Sequence, residues 1–384
     1  MIANLYVMCG LQGSGKSTEA KKLVSENKWV LLSSDEMRKE FPDKDNEFIF
    51  NKLYERMNEH LSKAESVVID ATNTTIKSRK HILDNVKHEC YKLCYIMNTP
   101  FNICLERVRN RNNKPNAHNV PEDVVRKYYE SFEIPFYEEG WDSIIFYNTL
   151  PERFSRLYLK QLKEKSKDFD QKNKHHTQLL GAHMDNVRAY MEDKTTDKVL
   201  KLAGEYHDVG KLFTQTFKDG DENAHYYNHA NVGAYNLMCY IYDIGERYWD
   251  YWRNDAPLRF LFYINYHMKM HDIKKDKDIA KWRKIFGGDK YDRLKLLYDA
   301  DCFRGDVEEL KREETKDDKT PQFYTLTTDC VKPYISAPSQ HIDIGTINSV
   351  PYFTYDEKHF EPDPVDLTEY FQELYWARGG DDQC

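Results

Sequence analysis

The chain is 384 residues long, enough for two domains. With 31% charged and 40% apolar residues, no apolar run long enough to span a bilayer and no N-terminal signal stretch, it reads as soluble, cytoplasmic and without a membrane partner. A net charge of −8 excludes a general nucleic-acid coat but leaves room for a local basic patch, and eight cysteines with no C-x-x-C pair suit a reducing compartment.

Residues 1–150 alternate apolar, strand-like runs with helical ones. The strand candidates are Leu5–Met8, Trp29–Ser33, Ser66–Asp70, Leu93–Met97 and Ser143–Tyr147. This βα rhythm predicts a parallel sheet with helices on both faces and a ligand at the carboxyl ends of the strands. Between the first strand and a helical run lies Gly10-Leu11-Gln12-Gly13-Ser14-Gly15-Lys16-Ser17-Thr18, which satisfies the phosphate-loop pattern G-x-x-x-x-G-K-[ST]. Glycines let the backbone wrap an anion, and the helix N-terminus points N–H groups at phosphate oxygens. Lys16 can reach the β- and γ-phosphates of ATP, and Ser17 can hold Mg²⁺. Gly10, Gly13, Ser14, Gly15, Lys16, Ser17 and Thr18 are therefore expected to bind the nucleotide.

A kinase also needs a base and charge neutralisation. Asp35 follows the second strand, and Arg38, three residues on, shares its helical face. The pair suits a base on a hydroxyl acceptor beside an arginine that holds a neighbouring phosphate, and equally a plain helix start with an i,i+3 ion pair. Asp70 ends the third strand, where an acid near the metal would lie. Arg107 and Arg111, four apart on a helix running into a polar loop, fit a lid that carries an arginine to the phosphoryl group, or a solvated basic face.

Residues 151–174 read as a linker helix. From 175 to 304 strand signals vanish, and helical runs cover Leu179–Met191, Asp197–His207, Ala230–Ile244, Leu258–Met268 and Tyr291–Asp301. The fold class is thus an α/β phosphate-loop kinase domain followed by an all-α domain. The helical part concentrates His183, the adjacent pair His207-Asp208, His229, His267 and Asp301. One metal can take His183, His207, Asp208 and Asp301; a second can take Asp208 as a bridge with His229 and His267. Mixed imidazole and carboxylate ligands suit Mn²⁺, Ni²⁺, Co²⁺, Fe or Zn²⁺. Two such ions would bind phosphate oxygens and acidify a bridging water, which is phosphoester hydrolysis. His176, His225 and His271, taken singly, read as ordinary surface or core histidines. Residues 305–384 form a C-terminal extension with no nameable motif, whose Tyr324, Phe353 and Tyr355 read as packing aromatics.

Gly10–Ser17, Ser34-Asp35 with Arg38, Val68–Asn73 with Arg79, and Arg107 with Arg111 together resemble the 5′-hydroxyl polynucleotide kinase domain of phage and bacterial end-healing enzymes. Gln12 stands where that family often has proline. The resemblance implies Asp35 as base on the 5′-OH, Arg38 on the adjacent phosphate, Lys16 and Arg111 on the transferred phosphoryl, and Asp70 and Arg79 in support. The order H, HD, H, H, D, with Leu202 to Lys211 around His207-Asp208, resembles the HD phosphohydrolase superfamily. That likeness implies Lys211 as a catalytic or structural cation and His176 as a phosphate contact. The combination is similar to bifunctional RNA end-healing enzymes, although here the kinase leads. It implies RNA ends, or DNA ends, as substrate, removal of a 2′,3′-cyclic, 2′- or 3′-phosphate, and a separate RNA ligase downstream. The alternative is a nucleoside or nucleotide kinase fused to a nucleotide phosphohydrolase, and a third reading is a binding module with a degraded kinase. The sequence carries no signal for oligomeric state.

Overall fold

The computed structural model describes residues 2–115, 119–147, 158–173, 178–240 and 255–303. His176, Tyr324, Phe353, Tyr355 and the rest of the 305–384 extension lie outside them. In the N-terminal lobe, β1 (Ala3–Cys9), α1 (Lys16–Asn27), β2 (Val30–Ser33), α2 (Ser34–Glu40), α3 (Asn46–Leu61), β3 (Val67–Asp70), α4 (Ile76–Asp84), β4 (Cys90–Met97), α5 (Phe101–Asn112), α6 (Glu122–Glu130) and β5 (Ser143–Tyr147) follow one another. The five strands form one sheet in the order β2-β3-β1-β4-β5, and every pairing is parallel. Alternate residues of β1 point to opposite faces. Tyr6 and Met8 pack against Ala20 and Leu23 of α1, while Leu5, Val7 and Cys9 are also fully buried. Both faces are therefore covered, which is why these strands read as continuous apolar runs rather than alternating ones.

The helical lobe contains α7 (Tyr158–Lys167), α8 (Leu180–Tyr190), α9 (Lys198–Tyr206), α10 (Lys211–Thr214), α11 (His229–Met238), α12 (Ala256–Tyr266), α13 (Lys269–Asp272), α14 (Asp276–Phe286) and α15 (Gly288–Cys302). It is not purely helical. An antiparallel pair, β6 (Gln215–Thr216) and β7 (His225–Tyr226), joins Gln215 to Tyr226 and Thr216 to His225. Strands of two residues are too short to show a period-two pattern, so they were not legible beforehand. Helix starts follow side-chain chemistry: Asp197 accepts from the N–H groups of Val199 and Leu200 to begin α9.

The lobes share a core. Tyr129 stacks on Phe101 with centroids 4.2 Å apart and meets Tyr235 of α11 edge-on at 5.2 Å. Phe136 packs edge-on against Phe262 of α12. Asn265 of α12 accepts from the Ile134 N–H at 2.9 Å and donates to the Phe132 carbonyl at 3.1 Å. All described residues fall within one compact unit, Met1–Glu314.

Candidate active sites

The phosphate loop is built by close approach. Gly13 has φ +81°, and a Cβ there would sit 2.3 Å from the Cys104 carbonyl oxygen of α5. Only glycine gives both the conformation and the space. Gly10 donates to the Thr72 carbonyl at 2.9 Å, which pins the loop to the end of β3. Thr99, just after β4, donates its hydroxyl to the Ser14 carbonyl at 2.8 Å. Lys16 is buried and donates to the Leu11 carbonyl at 2.7 Å. Burial lowers its pKa, opposed by the nearby Asp70 carboxylate.

These parts border a cleft of about 1000 Å³. Gly13, Ser14, Gly15, Lys16, Ser17 and Thr18 line it together with Asp35, Arg38, Asp70, Arg107 and Arg111. Gly10 stands behind the lining. Asp35 and Arg38 do form the ion pair that their spacing allows, at 3.0 Å, but on the cleft rim and in solvent. Arg38 also donates to Asn46 at 3.2 Å and lies 5.9 Å from the centre of the Phe50 ring. Asn46 and Phe50 line the cleft and were not foreseen, since they belong to α3 and only folding brings them beside α2. Arg107 donates to the Gly13 carbonyl at 3.4 Å. Arg79 is not in the cleft. It is fully buried and makes a bidentate pair with Glu139 at 2.6 and 2.7 Å, so its support is structural.

The second site lies wholly in the helical lobe. His183 (α8), His207 at the end of α9, Asp208 and Asp301 (α15) bring ligand atoms within 4.8 Å of one another, as do Asp208, His229 (α11) and His267 at the end of α12. Asp208 belongs to both groups: its Oδ2 lies 3.3 Å from His183 Nε2, and its Oδ1 lies 3.0 Å from His229 Nε2 and 3.6 Å from His267 Nε2. The histidines are pre-oriented. Nδ1 of His207, His229 and His267 each faces the backbone carbonyl three residues upstream, at 2.9, 2.9 and 2.7 Å. With Nδ1–H donating there, every Nε2 turns its lone pair to the centre, the arrangement that outer hydrogen bonds impose on metal-binding imidazoles. The His207 Nε2 is buried without a hydrogen bond, and His229 and His267 Nε2 approach to 3.2 Å. Two facing lone pairs at that distance call for a cation between them, so the residues fit divalent metal.

The electrostatics agree. Burial pushes His267 down to about 4, helped by His207 and His229, which leaves it neutral. Burial resists charge on Asp208 as well, yet Lys211 and His207 hold it well below the usual carboxylate range. Burial also works against charge on His207, but Asp208 and Asp301 lift it to about 10 when no metal competes for the nitrogen. Lys211 Nζ sits 2.7 Å from Asp208 Oδ2 and donates to Gln171 at 2.9 Å. Gln171, fully buried on the segment after α7, escaped the sequence reading because a lone Gln has no motif. His271 of α13, read as ordinary, lies 3.4 Å from Asp301 Oδ2 at the rim. His225 stays outside, beside Asp221. Gly210 makes the geometry possible: a Cβ there would meet the His229 carbonyl oxygen at 1.9 Å, so only glycine lets α10 cross the start of α11.

Comparison with known proteins gives the first site a frame. Residues 5–135 match the AAA domain family. The N-terminal lobe has the P-loop kinase fold. The "L-seryl-tRNA(Sec) kinase" of Methanococcus maripaludis is 30% identical over 149 residues, 36% of this chain and 56% of that protein. The "Putative bifunctional polynucleotide phosphatase/kinase" of Acanthamoeba polyphaga mimivirus is 30% identical over 144 residues, 36% of this chain and 32% of that protein. A chain in the structure of the Pnkp1/Rnl/Hen1 RNA repair complex is 23% identical, with a TM-score of 0.31 over 33% of this chain and 43% of that one. The matches thus span about half or less of each relative's length.

Proposed function

We propose that the protein heals broken nucleic-acid ends, RNA first among them: the P-loop kinase lobe phosphorylates a 5′-hydroxyl, and an HD-type phosphohydrolase centre removes a 2′,3′-cyclic, 2′- or 3′-phosphate. The observation that carries the reading is the presence, in one compact unit, of a phosphate loop with an acid–arginine pair on its rim and of a six-residue His/Asp cluster. A relative whose name includes a polynucleotide phosphatase/kinase supports the acceptor class.

In the first reaction, ATP would bind along the loop, and Ser17 with the nearby acid Asp70 would hold Mg²⁺. Asp35 takes the proton of the 5′-hydroxyl as its oxygen attacks the γ-phosphorus; the bond to the β-phosphate oxygen breaks and ADP leaves. Arg38, tied to Asp35, holds the phosphate next to the acceptor nucleoside. Lys16 and Arg111 neutralise the transferred group, and Arg107 fixes the loop through Gly13.

In the second reaction, His183, His207, Asp208 and Asp301 would hold one divalent ion such as Mn²⁺, Ni²⁺, Co²⁺, Fe or Zn²⁺, and Asp208, His229 and His267 another. Such ions supply positive charge for the phosphate oxygens and a more acidic water. The chain aims His207, His229 and His267 through their Nδ1 carbonyl bonds, and Lys211 braces Asp208. Each step consumes one water: its oxygen joins phosphorus, an ester P–O bond breaks, and the leaving oxygen takes a proton. A 2′- or 3′-phosphate needs one such step, and a 2′,3′-cyclic phosphate needs two, the first opening the ring and the second releasing inorganic phosphate. The products, 5′-phosphate and 3′-OH, are what a ligase needs, so a separate RNA ligase follows in the cytoplasm.

A second reading keeps both chemistries but makes the acceptor small. A cleft of about 1000 Å³ has room for a free nucleoside. Incubating RNA that carries 5′-OH and 2′,3′-cyclic phosphate ends with ATP, Mg²⁺ and Mn²⁺, beside free nucleosides and nucleotides, decides between them. End healing predicts turnover of both RNA ends. Turnover of the monomers alone would favour the second reading.

A further inference from the structure

The chain is acidic overall, with a net charge of −8, yet residues 269–284 carry seven basic side chains against three acidic ones. That stretch is α13, α14 and the link between them. Along α14, Ile279, Trp282, Ile285 and Phe286 turn inward, whereas Lys277, Lys281 and Lys284 are exposed. At spacings i, i+4 and i+7 the three lysines stand in one row about 10 Å long. Lys274 and Lys275, also exposed, extend it from the N-terminal end. Arg283 is committed to Asp292 at 2.5 Å, but none of these five lysines makes an ion pair among the described residues. The row leads to the second site. Only Gly287 separates α14 from α15, and the Arg283–Asp292 pair shows the two folding back on each other. The start of α14 therefore runs beside the end of α15, where Asp301 lies. His271, between Lys269 and Lys274, contacts Asp301, and the Asp301 side chain, 11% exposed, is the most open of the six ligands.

We infer that the lysine row of α14 binds the phosphate backbone of a single strand whose terminal phosphate enters the His/Asp centre past His271. A mononucleotide, held at the centre alone, has no use for positive charge strung outward along a neighbouring helix; a polymer places one anion per nucleotide there. The inference rests on the hydrolase reading of that centre and names its substrate as a polynucleotide.

The test compares wild type with the triple variant K277E/K281E/K284E, whose positions are exposed and outside the His/Asp cluster. Each hydrolyses, with Mn²⁺, a single-stranded RNA oligonucleotide ending in 2′,3′-cyclic phosphate and the corresponding cyclic mononucleotide. The row predicts that KM for the oligonucleotide rises about tenfold or more at low salt and that its salt slope flattens by about 2. Mononucleotide turnover and Mn²⁺ affinity by calorimetry stay as in wild type. If the variant handles the oligonucleotide as wild type does, or loses both substrates equally, the inference is overturned. Retention on phosphatidylserine vesicles that the variant loses, with oligonucleotide turnover untouched, would overturn it in favour of a membrane. If the wild type hydrolyses neither substrate, the reading of the centre fails, and the inference with it.

Discussion

A handful of side chains and one glycine set the chemistry. Lys16 is the loop cation nearest the transferred group, so Lys16→Ala should lower the kinase rate by about 100-fold or more with the helical site untouched, measured by transfer of labelled γ-phosphate. Gly210 carries the crossing of α10 over α11, since a Cβ would lie 1.9 Å from the His229 oxygen. Gly210→Ala should displace His229, cost about 1–3 kcal/mol of stability in denaturant titration and weaken Mn²⁺ binding by calorimetry, while kinase activity persists. The six His/Asp residues that cluster were readable in the sequence because a metal site would demand particular side-chain chemistry. Gln171, Asn46 and the partner of Arg79 were not. Their roles come from neighbours far along the chain; Glu139, for example, lies 60 residues beyond Arg79.

Elements carry the next level of the design. The five strands were legible because both sheet faces are covered and each strand is a short apolar run. The β6–β7 pair was not, because hydrogen bonds such as Gln215 to Tyr226 at 2.8 Å hold it rather than any apolar pattern. Arg79 ties α4 to the turn at Tyr137–Glu139, and both partners are almost fully buried. Burial works against charge on Arg79, and Glu139 more than offsets it. Arg79→Met would leave Glu139 buried and uncompensated, so about 3–5 kcal/mol of stability should be lost, with much of it regained in the double variant with Glu139→Leu. Helix α11 serves both sites. His229 begins it, and Tyr235, further along, donates to the Thr99 carbonyl at 2.7 Å, while Thr99 in turn holds Ser14 of the phosphate loop. Tyr235→Phe keeps the ring and removes that bond together with the hydroxyl's contact to Cys104. It should raise KM for ATP a few-fold and leave Mn²⁺ affinity unchanged, which steady-state kinetics and calorimetry can separate.

At the scale of the molecule, the sequence suggests two domains in a row, and the structure shows lobes joined by two aromatic clusters, Tyr129 and Phe132 against Tyr235, and Phe136 against Phe262. That seam was illegible because its residues look like ordinary core on either side. It holds the phosphate-loop cleft and the His/Asp cluster in one compact unit. That the two sites keep separate catalytic groups is the central claim, and crossed variants test it most directly. Wild type, Lys16→Ala and the double variant His207→Ala with Asp208→Ala are each given RNA carrying 5′-OH and 2′,3′-cyclic phosphate, with ATP, Mg²⁺ and Mn²⁺, and the two ends are scored separately. The account predicts that wild type converts both ends, that Lys16→Ala heals only the 3′ end, and that the double variant phosphorylates only the 5′ end. Loss of both activities in either folded variant, or survival of the activity whose residues were removed, would contradict it.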